Sequence, residues 1–220
     1  METKNASQNR QRNQTPTNVL DVANLRAQRS LLTARIVGTR GEERRKLVRR
    51  MRPSELLAFV ANDGVNRAVR IAVISMLEDA GLLVAIAEGA APTFIKSNAL
   101  RRLDEMCEHK GCPLTPAQTK RLTPCLNDKD LIAFTVVLMD ACDFDWYAYC
   151  DASTVSALCA AMYETDSIHE SVILEDAYAQ LVHSRPDLQA GLSACNPASY
   201  LMNSLRIPAS PQSKAFDNVA

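Results

Sequence analysis

The chain of 220 residues contains little glycine, few aromatic residues and no long apolar segment without charge. Seven glycines and an aromatic content of 5% argue against a β-sandwich, which is built from short strands and tight turns. No stretch alternates apolar and polar residues, and helix-forming residues dominate, so the composition predicts an all-α protein. The most apolar run, residues 68–90, contains Arg70, Glu78, Asp79 and Glu88. It therefore predicts two packed helices and no transmembrane segment.

Basic residues are absent from residues 130–184, a segment that holds ten acidic residues. The formal net charge is zero, but residues 1–52 contain 13 Lys or Arg and 4 Asp or Glu, a net charge of +9. Residues 53–220 contain 12 Lys or Arg and 21 Asp or Glu, a net charge of −9. This asymmetry predicts two surfaces of opposite charge, each able to attract a different partner.

Apolar residues are nearly absent from the first 18 positions, METKNASQNRQRNQTPTN. Such a segment buries too little surface to offset its ordering entropy, so we predict a disordered leader over residues 1–18. A single helical domain is predicted over residues 19–207 and a flexible tail over 208–220. The start lacks the apolar segment of a cleavable signal peptide, which favours a cytoplasmic protein whose seven cysteines are free thiols. The alternative is a bacterial effector that is exported by its disordered leader.

Proline, glycine and capping residues mark the expected helix boundaries. Gly38 follows a segment with helical periodicity, Pro53 opens a short helix, and residues 66–79 are predicted to form a longer one. Gly81 is expected to begin the next helix. Further N-terminal caps are predicted at Thr115, Asp128, Ser153, Asp166 and Asn196. Together these signals predict about 8–10 helices.

Two consecutive segments are similar in sequence at an offset of 26 positions. Leu56 to Ala80 aligns with Leu82 to Met106, and each segment predicts a short helix, a turn and a longer helix. The apolar positions coincide, and Arg70 aligns with Lys96. The longer helix of each unit thus has an apolar stripe for packing on its neighbour, and the basic residue is expected at the exposed rim.

LLAFVANDGVNRAVRIAVISML and LLVAIAEGAAPTFIKSNALRRL resemble the short HEAT-like repeats, including the leucine-rich variant type, of many bacterial proteins. The similarity covers residues 53–106 and fades over residues 126–141 and 158–177. It implies a right-handed HEAT-like α-solenoid, and an irregular helical bundle is the alternative. The resemblance also implies a scaffold that binds another macromolecule and brings no catalytic residues, although helical repeats also occur within enzymes.

Four soft metal ligands occur within CEHKGCPLTPAQTKRLTPC. Cys107, His109, Cys112 and Cys125 match the number of ligands in a tetrahedral zinc site. The spacing is unfavourable, because Cys107 and His109 would point to different faces of a helix and no second close pair follows. The alternatives are apolar cysteines at helix ends, or a nucleophilic Cys107 beside His109 with no orienting third group. We therefore predict no cofactor, with zinc at these four residues as the alternative.

The segment DACDFDWYAYCD combines four acidic residues with Phe144, Trp146, Tyr147 and Tyr149. It lacks the glycine and glutamate positions of a calcium-binding loop. The simplest interpretation is an aromatic turn framed by acids. The alternative is an exposed anchor for a partner protein, because Trp and Tyr often dominate binding energy.

The segment RGEERRKLVRRMR predicts a strongly basic helix over residues 40–52. Its three apolar residues are too few for a helix that lies on a membrane, and no aromatic residue nearby offers a base-stacking surface. The helix is expected to be solvated, or to dock on the acidic residues 130–184 of its own or another chain. Phosphate binding, and hence nucleic acid, is the alternative.

These features predict a non-catalytic protein–protein interaction module, an adaptor or regulatory subunit on a helical repeat scaffold. A nucleic-acid-associated regulator that uses residues 40–52 is the alternative. No catalytic residue is identified, although one sequence does not show which polar residues converge in space. The candidate partner-binding residues are Arg44, Arg45, Arg49, Arg50, Arg52, Trp146, Tyr147 and Tyr149.

Overall fold

The computed structural model describes residues 30–194, which form helices and turns and contain no strand. The predicted all-α class is confirmed. No helix in this part of the chain is long and apolar enough to cross a membrane. The predicted leader, residues 1–18, and the predicted tail, residues 208–220, lie outside the described residues, as do both ends of the predicted domain.

Eleven α-helices follow one another along residues 30–194, slightly more than the number predicted. The first, α1, includes residues 30–38. The others are α2 (Gly41–Val48), α3 (Pro53–Ala61), α4 (Arg67–Ile74), α5 (Ala80–Glu88), α6 (Thr93–Lys110), α7 (Pro116–Arg121), α8 (Ile132–Ala141), α9 (Ala152–Glu164), α10 (Ile168–Ser184) and α11 (Gln189–Ala194). Short 3-10 helices occur at Thr123–Asn127, Trp146–Tyr149 and Pro186–Leu188.

The 18-residue helix α6 occupies the centre of the packing. It contacts α4, α5 and α8, while α10 packs against both α8 and α9. Buried apolar side chains form one continuous cluster that extends from Ile36 to Leu192. Full burial of an aliphatic side chain contributes about 1.5–3 kcal/mol, so this cluster supplies most of the driving force that holds the short helices together.

The two aligned segments fold as two helix pairs, α3–α4 and α5–α6. Equivalent apolar positions are buried in both pairs, namely Leu56 and Leu82, Val60 and Ile86, Val73 and Ala99, and Leu77 and Leu103. The second helix of each pair differs in length: α4 has eight residues and α6 has 18. Burial is therefore shared at these four aligned positions, whereas Ala61 is exposed and its equivalent Ala87 is buried.

Helix α4 ends at Ile74, five residues before its predicted end. Met76 and Leu77 donate their N–H groups to carbonyls three residues back, which tightens the chain into turns. Asp79 caps α5 instead, because its Oδ1 accepts a hydrogen bond of 3.1 Å from the N–H of Leu82. The prediction that Gly81 begins this helix is accordingly wrong by one residue, since α5 starts at Ala80.

Arg70 is buried, and the prediction that the repeated basic residue lies at an exposed rim is wrong for it. Its side chain is only 6% exposed, and its guanidinium lies 4.9 Å from the centroid of the Phe94 ring. Nη1 of Arg70 also pairs with Asp63 at 3.1 Å. The aligned Lys96 is half-buried. The sequence aligns Arg70 with Lys96. The position of the Arg70 side chain, however, depends on its contact with the Phe94 ring of α6, which the alignment does not show.

Of the predicted caps, Thr115 is confirmed, three are wrong, and Asn196 lies outside the described residues. The hydroxyl of Thr115 accepts a hydrogen bond from the N–H of Gln118 at the start of α7. Helix α8 has no side-chain cap, so Asp128 does not serve this role. Asp151 caps α9 in place of Ser153, and Ser167 caps α10 in place of Asp166. Several neighbouring residues in these turns have capping side chains, and backbone conformation selects between them.

Candidate functional site

Three cysteines from separate parts of the chain meet where α6 and α8 end; they are named the thiol cluster here. Cys107 lies in the last turn of α6, Cys112 follows Gly111 directly after this helix, and Cys142 is the C-terminal cap of α8. Their Sγ atoms all lie within 4.8 Å of one another. Cys112 and Cys142 form a disulfide, with Cα atoms 5.4 Å apart. The Sγ atom of Cys107 is 3.9 Å from that of Cys142.

The structure brings together only two of the four predicted zinc ligands, Cys107 and Cys112. Cys125 lies elsewhere in the core, where its thiol is 3.7 Å from the carbonyl oxygen of Ala87, and His109 is exposed outside the cluster. Cys142 was missed because it is 30 residues from Cys112, and only the packing of α6 on α8 brings them together. The prediction that all cysteines are free thiols is also wrong.

Burial keeps the isolated thiols in their protonated form at neutral pH. Desolvation raises the pKa of Cys125 to about 11 and the pKa of Cys150 to about 12. The pKa of Cys107 is also raised, first by burial and then by the negative charge of Asp104. Because the thiolate is the reactive species, these surroundings do not support the alternative of a nucleophilic Cys107 beside His109.

A groove of about 360 Å³ lies beside the thiol cluster, between the start of α7 and the turn after α8. Its charged lining residues are two aspartates, and we name it the acidic groove. The rings of Phe144 and Tyr149 are stacked in it, with centroids 5.4 Å apart. The ammonium of Lys120 lies 5.5 Å from the Tyr149 ring centroid. The lining residues are Leu114, Pro116, Thr119, Cys142, Asp143, Phe144, Asp145, Ala148 and Tyr149.

Asp143 shapes the wall of the acidic groove through its backbone. It has a φ of 51°, a left-handed conformation that Asn and Asp adopt more readily than other non-glycine residues. The N–H of Asp143 donates to the carbonyl of Asp140, and the N–H of Phe144 donates to that of Met139. This turn places Asp143 and Asp145 on the same groove.

The acidic residues between positions 130 and 184 are almost all without a cationic partner. Among the described residues, the one ion pair made by these ten acids joins Glu164 to Lys129. Three of them lie around Tyr147. Burial raises the pKa of the Tyr147 hydroxyl, and the charges of Asp140, Asp145 and Asp176 raise it further. The α8–α10 region thus presents an uncompensated negative surface.

Trp146 is buried, so its predicted role as an exposed partner anchor is wrong. Its side chain is 1% exposed, and Nε1 donates a hydrogen bond of 2.9 Å to Oδ1 of Asp140. Tyr147 is half-buried, with its hydroxyl bonded to Gln180. Tyr149 is 41% exposed and is the member of the predicted aromatic set that a partner can reach most readily.

The prediction of one basic helix over residues 40–52 is wrong, because α2 ends at Val48 and Arg49, Arg50 and Arg52 lie in the turn before α3. Most, though not all, of the predicted cationic residues are exposed. Arg44 is buried, and its guanidinium donates to the carbonyls of Ile36 and Thr39, which ties α2 to the end of α1. Arg45 and Arg49 form exposed ion pairs with Glu42 and Glu78. The exposed cations of this region without an ion pair among residues 30–194 include Arg40, Lys46, Arg50 and Arg52.

Comparison with known proteins assigns no function to the acidic groove or to the basic residues at and after α2. Comparison of the chain with protein-family models, curated proteins and solved structures finds no match. The resemblance to HEAT-like repeats therefore stays a prediction, and the function of the chain has to be inferred from the burial, contacts and charges of its described residues.

Proposed function

We propose that the chain is a non-catalytic protein–protein interaction module that binds a basic segment of its partner at the acidic groove. The observation that supports this proposal is that, among residues 30–194, nine of the ten acids of residues 130–184 have no cationic partner in an ion pair. A lysine- or arginine-rich peptide supplies the missing positive charges. Complementary charge of this kind steers association and selects among partners.

Negative charges on the acidic surface repel one another, and a cationic partner reduces this repulsion. Burial raises the pKa of the Asp140 carboxyl, the hydrogen bond from Trp146 lowers it, and the negative charge of Asp176 raises it again. Like charges held close together disfavour ionisation and destabilise the folded chain. Asp140 and Asp176 do not line the acidic groove, so a Lys or Arg residue of the partner segment outside the groove would replace this repulsion by attraction.

The acidic groove offers an aromatic contact together with the two carboxylates. A guanidinium or ammonium stacks favourably on an aromatic face, and Lys120 of the chain itself already lies over the ring of Tyr149. Asp143 and Asp145 line the same groove. An incoming basic side chain that takes the place of Lys120 thus finds an aromatic face and a carboxylate within one site, which is the combination that recognises arginine well.

The helical pairs supply the scaffold of this proposal. We interpret α3–α4 and α5–α6 as two short repeat units, similar to HEAT-like repeats, on the basis of their equivalent buried positions. Stacked helix pairs form extended surfaces that suit macromolecular partners. The later helices α8–α10 then present the acidic surface.

Removing the charges of the acidic groove is expected to weaken binding of a basic peptide. The variant Asp143→Asn/Asp145→Asn keeps the shape of the turn, because asparagine also adopts the left-handed conformation. Exposed charge pairs contribute about 0.2–1 kcal/mol each, so loss of two pairs should raise the dissociation constant by about twofold to thirtyfold at low salt. Fluorescence anisotropy with a labelled lysine- and arginine-rich peptide measures it.

The matched control is Glu42→Gln/Glu43→Gln, which removes two negative charges from α2. It should leave the affinity for the basic peptide unchanged. If both double variants weakened peptide binding equally, the affinity would depend only on the net charge of the chain. That result would overturn the acidic groove as the binding site. Failure of the unsubstituted chain to bind the peptide more tightly than a glutamate-rich one would overturn the proposed function itself.

The second candidate function, binding of nucleic acid, is favoured by the unpaired exposed cations of α2 and the residues that follow. If this surface contacts phosphates, Arg50→Ala/Arg52→Ala should lower the salt concentration at which the chain elutes from heparin or DNA. Loss of two phosphate contacts should also reduce the slope of log affinity against log salt by about 2. Arg101→Ala/Arg121→Ala removes two exposed cations elsewhere and should have no such effect. Identical elution of both variants and the parent chain would exclude this candidate.

A further inference from the structure

The thiol cluster contains one more cysteine than a disulfide needs. Cys112 and Cys142 are joined by a disulfide bond, and the buried thiol of Cys107 lies 3.9 Å from the sulfur of Cys142. A zinc–sulfur bond of about 2.3 Å separates tetrahedral thiolates by about 3.8 Å. The spacing between Cys107 and Cys142 thus matches that of two thiolates on one zinc ion.

We propose that the reduced thiol cluster is a zinc site formed by Cys107, Cys112 and Cys142, and that the disulfide between the last two excludes the metal. Three soft thiolates select zinc over magnesium or calcium, which prefer oxygen ligands. Cys112 is exposed and Cys142 is half-exposed, so the fourth coordination position is open to water.

The backbone holds the three cysteines in place before any metal binds. The N–H of Cys142 donates to the carbonyls of Leu138 and Met139, which fixes it at the end of α8. Gly111 has a φ of 77°, a conformation suited to glycine, and its N–H donates to the carbonyl of Cys107. The chain therefore reverses between Cys107 and Cys112, and both reach Cys142. Reduction frees the ligands without requiring these elements to move far.

The two states are connected by a balanced reaction. A phosphine reductant breaks the S–S bond; its phosphorus loses two electrons and takes an oxygen atom from water, and the two sulfurs become thiols. Zn²⁺ then displaces one proton from each of the three thiols. A low-molecular-weight disulfide reverses the change by thiol–disulfide exchange, which restores the bond between Cys112 and Cys142, reduces the added disulfide to two thiols and releases the ion.

Titration of the full chain with Co²⁺, followed by displacement with Zn²⁺, tests the site. Phosphine-reduced protein is expected to bind one equivalent of Co²⁺ with an intense thiolate-to-cobalt absorption band, and oxidised protein is expected to show no such band. Cys107→Ser keeps the disulfide pair and should weaken Co²⁺ binding more than about tenfold, because a ligand is lost. Cys125→Ser alters a cysteine outside the cluster and should bind as the parent chain does.

Three results would overturn the site. One is the absence of the charge-transfer band in reduced protein that circular dichroism shows to be folded. Another is equal Co²⁺ affinity in Cys107→Ser and the parent chain, which would mean that the metal is held without Cys107. The third is weakening by Cys125→Ser as large as that by Cys107→Ser, which would mean that the loss at Cys107 is not the loss of a ligand. None of these outcomes bears on peptide binding by oxidised protein at the acidic groove, so the two proposals fail separately.

Discussion

Replacing Trp146 with alanine is expected to lower the free energy of unfolding by about 3–5 kcal/mol, because it empties a fully buried indole site. The side chain is 1% exposed and is the largest of the fully buried ones. The substitution also removes the Nε1–H that donates to Asp140. For a domain of this size the midpoint of thermal unfolding should fall by about 10 °C. Far-UV circular dichroism measures it.

Two further variants separate volume from hydrogen bonding at this position. Trp146→Phe keeps most of the apolar volume and loses the donor, so we expect a cost of about 1–2 kcal/mol. Tyr149→Ala removes a neighbouring ring that is 41% exposed and should cost about 1 kcal/mol or less. A loss below 1 kcal/mol for Trp146→Ala would contradict the buried position of Trp146.

Replacing Arg70 with alanine is expected to lower the free energy of unfolding by about 2–3 kcal/mol, through lost packing more than lost charge. Its guanidinium lies over the ring of Phe94 and links α4 to α6. Its ion-pair partner, Asp63, is 84% exposed, so removal of the arginine leaves no buried carboxylate. Chemical denaturation of the variant measures the loss.

Arg70→Met decides between packing and charge as the cause. Methionine fills much of the same space, and it removes a buried Nε that has no hydrogen-bond partner. We therefore expect a change within about 1 kcal/mol of the parent chain, since apolar replacements of buried charged groups are often neutral. Lys96→Ala, at the aligned position of the next helix pair, should cost less than about 1 kcal/mol. If Arg70→Met were as destabilising as Arg70→Ala, the charge of Arg70 would be the stabilising feature.

Local patterns in the sequence were sufficient for the helical class and for some helix boundaries. Apolar periodicity and proline positions predicted α3, α5 and the Thr115 cap, because these signals act within a few residues. The same signals did not distinguish adjacent capping residues. They predicted Ser153 and Asp166 as N-caps, whereas Asp151 caps α9 and Ser167 caps α10. Backbone conformation at a turn depends on how the two helices pack, which local composition does not encode.

Identifying the candidate sites depended more on the tertiary structure than identifying the helices did. Composition alone identified the acidic region of residues 130–184, because charge counts need no coordinates. The thiol cluster joins cysteines 30 residues apart, and no spacing rule would have selected Cys142 over Cys125. Charge and periodicity are properties of neighbouring residues and so belong to the sequence. The burial of Arg70 and the meeting of three thiols were decided by the packing of α6 against α4 and α8, since contacts between distant residues exist only after the chain has folded.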